Sequence, residues 1–167
     1  MDGKAPSQSS TTLAHVMGIA DTNSTGNVHG GTVMKLCDEA AGLAAVKHAR
    51  RRVVTAGMDR MDFKYPIEIA ELVTFAATVN AAWRSSMEVG VRVEAENPRT
   101  GVVRHTNTVY LTMVALGDDG RPTAVPHLIP MTPVEQRRQR EAELRRTNRL
   151  AERAQIVAHR EHERESR

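Results

Sequence analysis

Apolar and polar residues alternate with a period of two along most of the stretch from Val53 to Leu116, and with the helical period in two other places. In "ELVTFAATVNAAW" the residues Val73, Phe75, Ala77, Val79, Ala81 and Trp83 fall on one face, as in a strand packed on one side. In "SSMEVGVRVEAE" Met87, Val89, Val91, Val93 and Ala95 alternate with Glu88, Arg92, Glu94 and Glu96. "VVRHTNTVYLTMVAL" (Val102–Leu116) is a long last strand, "VVTAGMDRMDF" (Val53–Phe63) an earlier one, and "LAHVM" (Leu13–Met17) a short first one. "NPRTG" and "GDDGRP" are turns. From His29 to about His48 the pattern is helical. Ala40, Ala41, Ala44 and Ala45 are strong helix formers, and Lys47, His48 and Arg50 suit a helix C-terminus.

The predicted order is strand, one central helix, then four strands joined by short connections. Short connections imply antiparallel pairing. One long Ala-rich helix against one antiparallel sheet is an α+β layer fold, and a strongly curved sheet can wrap such a helix. Residues 1–11 are polar and predicted disordered. The folded domain is expected over residues 12–130, its last part a proline-marked exit. A charged helix and tail occupy 131–167, with Leu144, Leu150, Ala151, Ala154 and Val157 as a thin apolar stripe over residues 133–158. That helix is expected on the outside of the domain or against a partner subunit.

Composition narrows this picture. At 167 residues and 40% apolar content, one packed core is expected; aromatics at 3% make that core aliphatic. The single Cys37 excludes an internal disulfide and a multi-cysteine metal site. Net charge is +3. The excess is local, in arginines from Val134 to Arg167 that alternate with glutamates, which reads as a solvated helix face rather than a nucleic-acid grip. No apolar run is long enough to span a membrane, and "MDGKAPSQSSTT" lacks the apolar segment of a signal peptide; a cytoplasmic protein is expected.

The chemistry concentrates in "DTNSTGNVHGGTVMKLCDEAAG", Asp21 to Gly42. On a helical wheel Val33, Cys37, Ala40, Ala41 and Ala44 share one arc, and Lys35 and Glu39 form a solvated i, i+4 pair. Asp38 falls on the edge of the apolar arc, near Met34 and Ala45 and in line with Gly31 and Gly42. It is a functional carboxylate or a charge at the wet margin, and the wheel does not choose. Gly30 and Gly31 open the helix with accessible N–H groups at the positive end of the dipole, a place that stabilises an oxyanion or simply a turn into a helix. Asn23 reads by itself as an Asx-turn residue, and His29 as a cap. The remaining histidines show no metal-ligand spacing, and there is no nucleophile elbow, phosphate loop or dinucleotide fingerprint.

The combination resembles the hotdog-fold acyl-CoA thioesterases, in particular the cytosolic, brain-type acyl-CoA hydrolases. N-x-x-G-x-V-H-G-G followed by D-E-A carries the likeness, together with "VVTAGMDRMDF" and "RSSMEVGVRVEAENPRTG"; it runs from about Leu13 to Leu128. The resemblance implies a sheet wrapped around the central helix, protomers paired edge to edge, and a trimer of such dimers. It implies that Asn23 and Asp38 are catalytic, contributed to each site by different subunits. Gly30 or Gly31 then holds the thioester carbonyl, and Asp38 acts as general base or nucleophile. Coenzyme A contacts are implied at Ala56, Gly57 and Met58, at Ser85, Ser86 and Met87, and at Arg145. Arg84, Arg104 and the Arg50–Arg52 cluster are candidates for its phosphates. Gly57 departs from relatives in which serine is common. Coenzyme A enters as substrate moiety and product, with no further cofactor required and no nucleic acid as partner. Two rival readings remain: an acyl-CoA-sensing regulator that does not hydrolyse, and a hydratase or dehydratase in which His29 serves as the base. The charged tail also reads as a protein-interaction helix beside any of these.

Overall fold

The computed structural model describes residues 2–165, which divide into two compact units, one running to Ile129 and one starting at Pro130. In the first unit a strand β1 (Thr11–Val16) is followed by the helix α1 (Gly30–Ala49). Then come β2 (Arg52–Met58), β3 (Leu72–Ala82), β4 (Ser86–Asn97) and β5 (Val102–Leu116). The five strands form one antiparallel sheet in the order β1-β3-β4-β5-β2, leaving β1 and β2 as its edges.

The sheet curls around α1, as the family resemblance implies, and the alternating positions supply its inner face. Val73, Phe75, Ala77 and Val79 of β3, Val89, Val91 and Val93 of β4, and Leu111 and Met113 of β5 are buried in one cluster. Val33, Cys37, Ala40, Ala41, Ala44 and Ala45 of α1 complete it. Four alanines on that face, Ala40, Ala41, Ala44 and Ala45, let the helix approach the sheet closely. Three β-bulges, at Thr55/Gly57, Val79/Ala81 and Val93/Glu94, add local twist and tighten the curl. The bulge in β3 changes the predicted face. Ala82, not Ala81, stands opposite the buried Met87 and packs against the core. An extra residue moves everything beyond it by one position, so a strict period of two fails there.

Two further expectations differ. Strand β2 ends at Met58 rather than Phe63. Beyond it the Asp59 N–H still reaches Tyr110 O at 2.9 Å, but at Asp62 the acceptor is met by a side chain, Asn107 Nδ2 at 2.5 Å. Residues 4–10, predicted disordered, are ordered, while Met1 lies outside the described residues. Lys4 Nζ donates to His48 O (2.6 Å) and Lys47 O (3.4 Å), capping the C-terminal carbonyls of α1. The Lys4 backbone pairs with His127 and Ile129, Lys47 Nζ donates to Ser10 O at 2.7 Å, and Pro6 and Ser9 are buried. The Lys4 donors satisfy helix and exit-segment carbonyls more than forty residues away in sequence, which composition does not register.

The second unit contains α2 (Pro133–Glu165). A reciprocal cap opens it: Glu135 N–H donates to Thr132 Oγ1 (3.2 Å) and Thr132 N–H to Glu135 Oε2 (2.9 Å). Leu144, Leu150 and Val157 are exposed along it. Among the described residues no helix is long and apolar enough to cross a membrane, and no His, Cys, Asp and Glu group is placed to hold a metal.

Candidate active site

The loop from Gly18 to His29 delivers the chain into α1. Asn23 makes the Asx turn its sequence context predicts. Its Oδ1 accepts from Thr25 N–H (2.9 Å), Thr25 Oγ1 (2.6 Å) and Asn27 N–H (3.3 Å). Gly26, at φ +88°, makes the turn possible. With Oδ1 taken, the Nδ2 amide of Asn23 is the end that remains for another group.

His29 is the N-cap of α1, its Nδ1 accepting from Gly31 N–H at 2.8 Å. The N–H groups of Thr32 and Val33 turn back to His29 O. The Gly30 N–H has no acceptor among the described residues. Of the two glycines, therefore, only Gly30 offers a free donor at the positive end of the helix. A side chain at 31 would stand 2.9 Å from the capping nitrogen, and one at 30 would stand 3.1 Å from the Phe63 ring. A pocket of about 290 Å³ opens beside Gly30, walled by Val28, Val33, Phe63, Tyr65 and Ile67.

Asp38 lies on α1 at the margin of the core, half-buried, as the wheel placed it. Thr55 Oγ1 donates to its Oδ1 at 2.5 Å across the space between helix and sheet. The β2 bulge follows directly and leaves Ala56 and Gly57 exposed on the edge strand. One turn on from Asp38, a Cβ at Gly42 would meet nothing within 4 Å, so space is open beside the carboxylate. Next to Asp38 the Cys37 thiol is pushed up to about 12, by burial first and then by the Asp38 charge, so Cys37 is no nucleophile.

Two clusters result, and one chain does not bring them together. Asn23, His29, Gly30 and Gly31 gather at the helix N-terminus. Asp38 pairs with Thr55, eight residues on from Gly30, or about 12 Å along the axis at 1.5 Å per residue. Thr55 is the residue that sequence reasoning missed; in the strand pattern it is one more outward threonine.

The implied coenzyme A positions divide in the same way. Ala56 and Gly57 face outward on β2, and Met58 is half-buried against the core. Arg84 is exposed and Ser85 half-buried in the β3–β4 turn, and the half-buried Ser86 opens β4. Met87 is fully buried in the core, so its side chain packs instead of facing a ligand. Arg104, a candidate phosphate partner, is held by the buried Glu71 at 2.6 and 2.8 Å; it is a structural ion pair. Arg50, Arg51 and Arg52 line an open concavity of about 760 Å³ with Val46, Leu116 and Asp118. Arg145 is half-buried on α2, in the second unit.

A long helix wrapped by a curled antiparallel sheet, with a carboxylate on the helix and a free N–H at its start, defines a hotdog protein of the thioesterase kind. Residues 25–102 match the Thioesterase superfamily. The chain is 40% identical over 111 residues to the VdlD protein of Helicobacter pylori, a stretch amounting to 66% of this chain and 63% of that one. It thus spans a little under two thirds of that relative's length. An acyl-CoA hydrolase of Staphylococcus aureus, solved in complex with butyryl coenzyme A, coenzyme A and coenzyme A disulfide, superimposes with a TM-score of 0.87. It is 34% identical, covering 95% of this chain and 97% of that one. Its structure is also known with single asparagine, aspartate and threonine residues changed to alanine. A hexameric acyl-CoA thioesterase, solved without ligand, superimposes with a TM-score of 0.89 at 36% identity, covering 92% of this chain and 99% of that one. The chain belongs to the acyl-CoA hydrolases of the thioesterase superfamily.

Proposed function

We propose that this protein hydrolyses acyl-CoA thioesters to a free fatty acid and coenzyme A, at sites shared between two copies of the chain. One observation carries the reading: the Asp38 carboxylate is held by Thr55 at 2.5 Å in a set with Asn23 whose spacing recurs elsewhere. The asparagine, aspartate and threonine replaced in the Staphylococcus aureus hydrolase are separated by 15 and 17 residues, the same intervals that separate Asn23, Asp38 and Thr55.

The chemistry follows from the two clusters. The thioester carbonyl accepts from Gly30 N–H, which stabilises the oxyanion as charge develops on the oxygen. Asn23 Nδ2 orients the carbonyl or the attacking water. Asp38 takes the proton of that water, or attacks the carbonyl itself to give an anhydride that water then cleaves. In either case the C–S bond breaks and coenzyme A leaves as a thiolate, so no dedicated acid is needed. Gly30 and Asp38 of one chain are about 12 Å apart along the helix, whereas the reacting atoms need contact at about 3 Å. A second copy supplies the missing half. The edge strand β2 has five of its seven residues exposed and an open hydrogen-bonding edge, the natural seam for such a pair. Three of these dimers give the hexamer that one structural neighbour forms.

The test is thiol release from acetyl-, hexanoyl-, decanoyl- and palmitoyl-CoA, with Asp38→Ala alongside. Release by the wild type alone supports the reading and gives the chain-length preference. No release at any length, with acyl-CoA binding retained, turns the assignment to a binding regulator.

A further inference from the structure

We propose that Asp21 is a positioning residue of this site, acting with His15 to fix the loop that carries Asn23 and the cap that leaves Gly30 N–H free; the proposal rests on the acyl-CoA hydrolase reading. Asp21 sits where three segments meet. Its Oδ2 accepts from Gly18 N–H at 2.8 Å and from His15 Nε2, on β1, at 3.0 Å. Its backbone N–H returns to Gly18 O at 3.1 Å. Its backbone carbonyl accepts from the His29 N–H at 2.7 Å. The carboxyl is held below the usual carboxylate range, first by the Gly18 N–H and then by His15, so it is ionised at neutral pH.

The consequence lies in what these bonds enclose. Residues 22–28 form a small closed loop: Thr22 bridges Val28, and Asn23 N–H donates to Asn27 O at 2.8 Å. The loop is shut at its base by Asp21 and His29. Asn23 has no anchor of its own to the sheet, since its Oδ1 bonds lie within the loop. Its position relative to α1 is therefore set at the ends of the loop, by Asp21 at one and at the other by the buried Val28, whose N–H donates to Ile67 O at 2.9 Å. His29 in turn spends its Nδ1 on Gly31 and leaves Gly30 unoccupied. Movement at Asp21 shifts Asn23 and the Gly30 donor together. Displacements of about 1 Å in such groups cost up to about 100-fold in rate. The implied coenzyme A contacts lie on other segments, β2 and the β3–β4 turn, so substrate affinity is not what this device controls.

The experiment measures kcat and KM for Asp21→Ala, Asp21→Asn, His15→Gln and His15→Leu, with thermal melting and coenzyme A binding by calorimetry. Asp21→Ala is expected to lower kcat about 10- to 100-fold, with KM and coenzyme A affinity within about two-fold. Asp21→Asn still offers an oxygen to Gly18 and His15 and restores most of the rate. His15→Gln keeps a donor and stays near wild type, while His15→Leu loses several-fold in kcat. Wild-type kcat in Asp21→Ala overturns the proposal. So does an equal loss in Asp21→Asn, or a loss that follows the unfolded fraction alone. If Asp21→Ala does not fold, His15→Leu decides by the same criterion. Thiol release absent from the wild type defeats the hydrolase reading itself and this proposal with it, whereas an active wild type with an indifferent Asp21→Ala defeats this proposal alone.

Discussion

Thr55 and Asp38 meet across the gap between β2 and α1, with Thr55 Oγ1 donating to Asp38 Oδ1 at 2.5 Å. A carboxylate that acts as base or nucleophile must present one oxygen to the substrate, and a donor on the other oxygen fixes which one. Hydrogen bonds to charged groups contribute about 1.5–3 kcal/mol, so their loss in the transition state costs about 10- to 100-fold. Thr55→Val is expected to lower kcat by that factor with little change in KM. Thr55→Ser, which keeps the hydroxyl, is expected to retain most of the rate. Steady-state kinetics on one acyl-CoA decide it, and equal damage from both substitutions would refute a role for the hydroxyl.

The separation of Gly30 from Asp38 predicts complementation between subunits. Asn23→Ala and Asp38→Ala homodimers are each expected to be inactive. A mixed dimer keeps one intact composite site. After subunit exchange of equal amounts, about half the dimers are mixed and each has one site of two, so activity near a quarter of wild type is expected. Exchange is followed by native mass spectrometry, and activity by thiol release. Complete exchange without activity would mean that both residues work within one chain.

Gly57 lies on β2 where the family resemblance implies a coenzyme A contact. A Cβ there would meet nothing within 4 Å, and the position is exposed on β2 beside the bulge. Gly57→Ser is expected to fold with an unchanged or slightly higher melting temperature. Glycine costs conformational entropy in a strand, and a hydroxyl adds one donor at the implied ligand face. A several-fold tighter coenzyme A complex in calorimetry is the expected result. Unchanged affinity would show that the ligand does not pass this point.

Much of the fold is legible because burial enforces a period. The inward valines of β4 and the alanines of α1 stand where the alternation and the wheel put them. Asp38 at the margin of the core is legible for the same reason. What escapes is set by single residues acting at long range. The β3 bulge exchanges Ala81 for Ala82 without any local mark. Lys4 is a helix cap only because His48 comes to it, and Arg104 is spent on Glu71, thirty-three positions away. Thr55 has the same sequence character as Thr74 on β3; only the helix above it makes it different. Gly31 looks equivalent to Gly30 until His29 takes its N–H.

The free thiol must not confuse a thiol-release assay, and it is not expected to. Cys37 is fully buried with its thiol pushed up to about 12, so almost none is thiolate at pH 8. Incubation of the folded protein with a colorimetric thiol reagent is expected to show no release over minutes, and about one equivalent per chain after denaturation. Rapid native reaction would mean that the core around α1 opens readily.

Acid sensitivity is expected from His48. The ring is fully buried, its Nε2 donating to Pro126 O at 2.9 Å, and its Nδ1 has no partner. Protonation would place a charge and an unmatched donor in the core, close to the Lys4 ammonium. Burial accordingly lowers its pKa from 6.5, with Lys4 acting in the same direction. The unfolded chain therefore binds a proton that the folded chain refuses in the window below 6.5. Stability is full above that value, falls as pH drops through it, and stops falling from this source below the folded pKa. Denaturant unfolding between pH 8 and pH 5 measures it. His48→Gln keeps a donor toward Pro126 but cannot titrate, so its stability is expected to depend less on pH over that range. A wild type and a variant with the same slope would mean that the ring gains its proton in the folded state at no cost, against the buried and unpartnered Nδ1 on which the expectation rests.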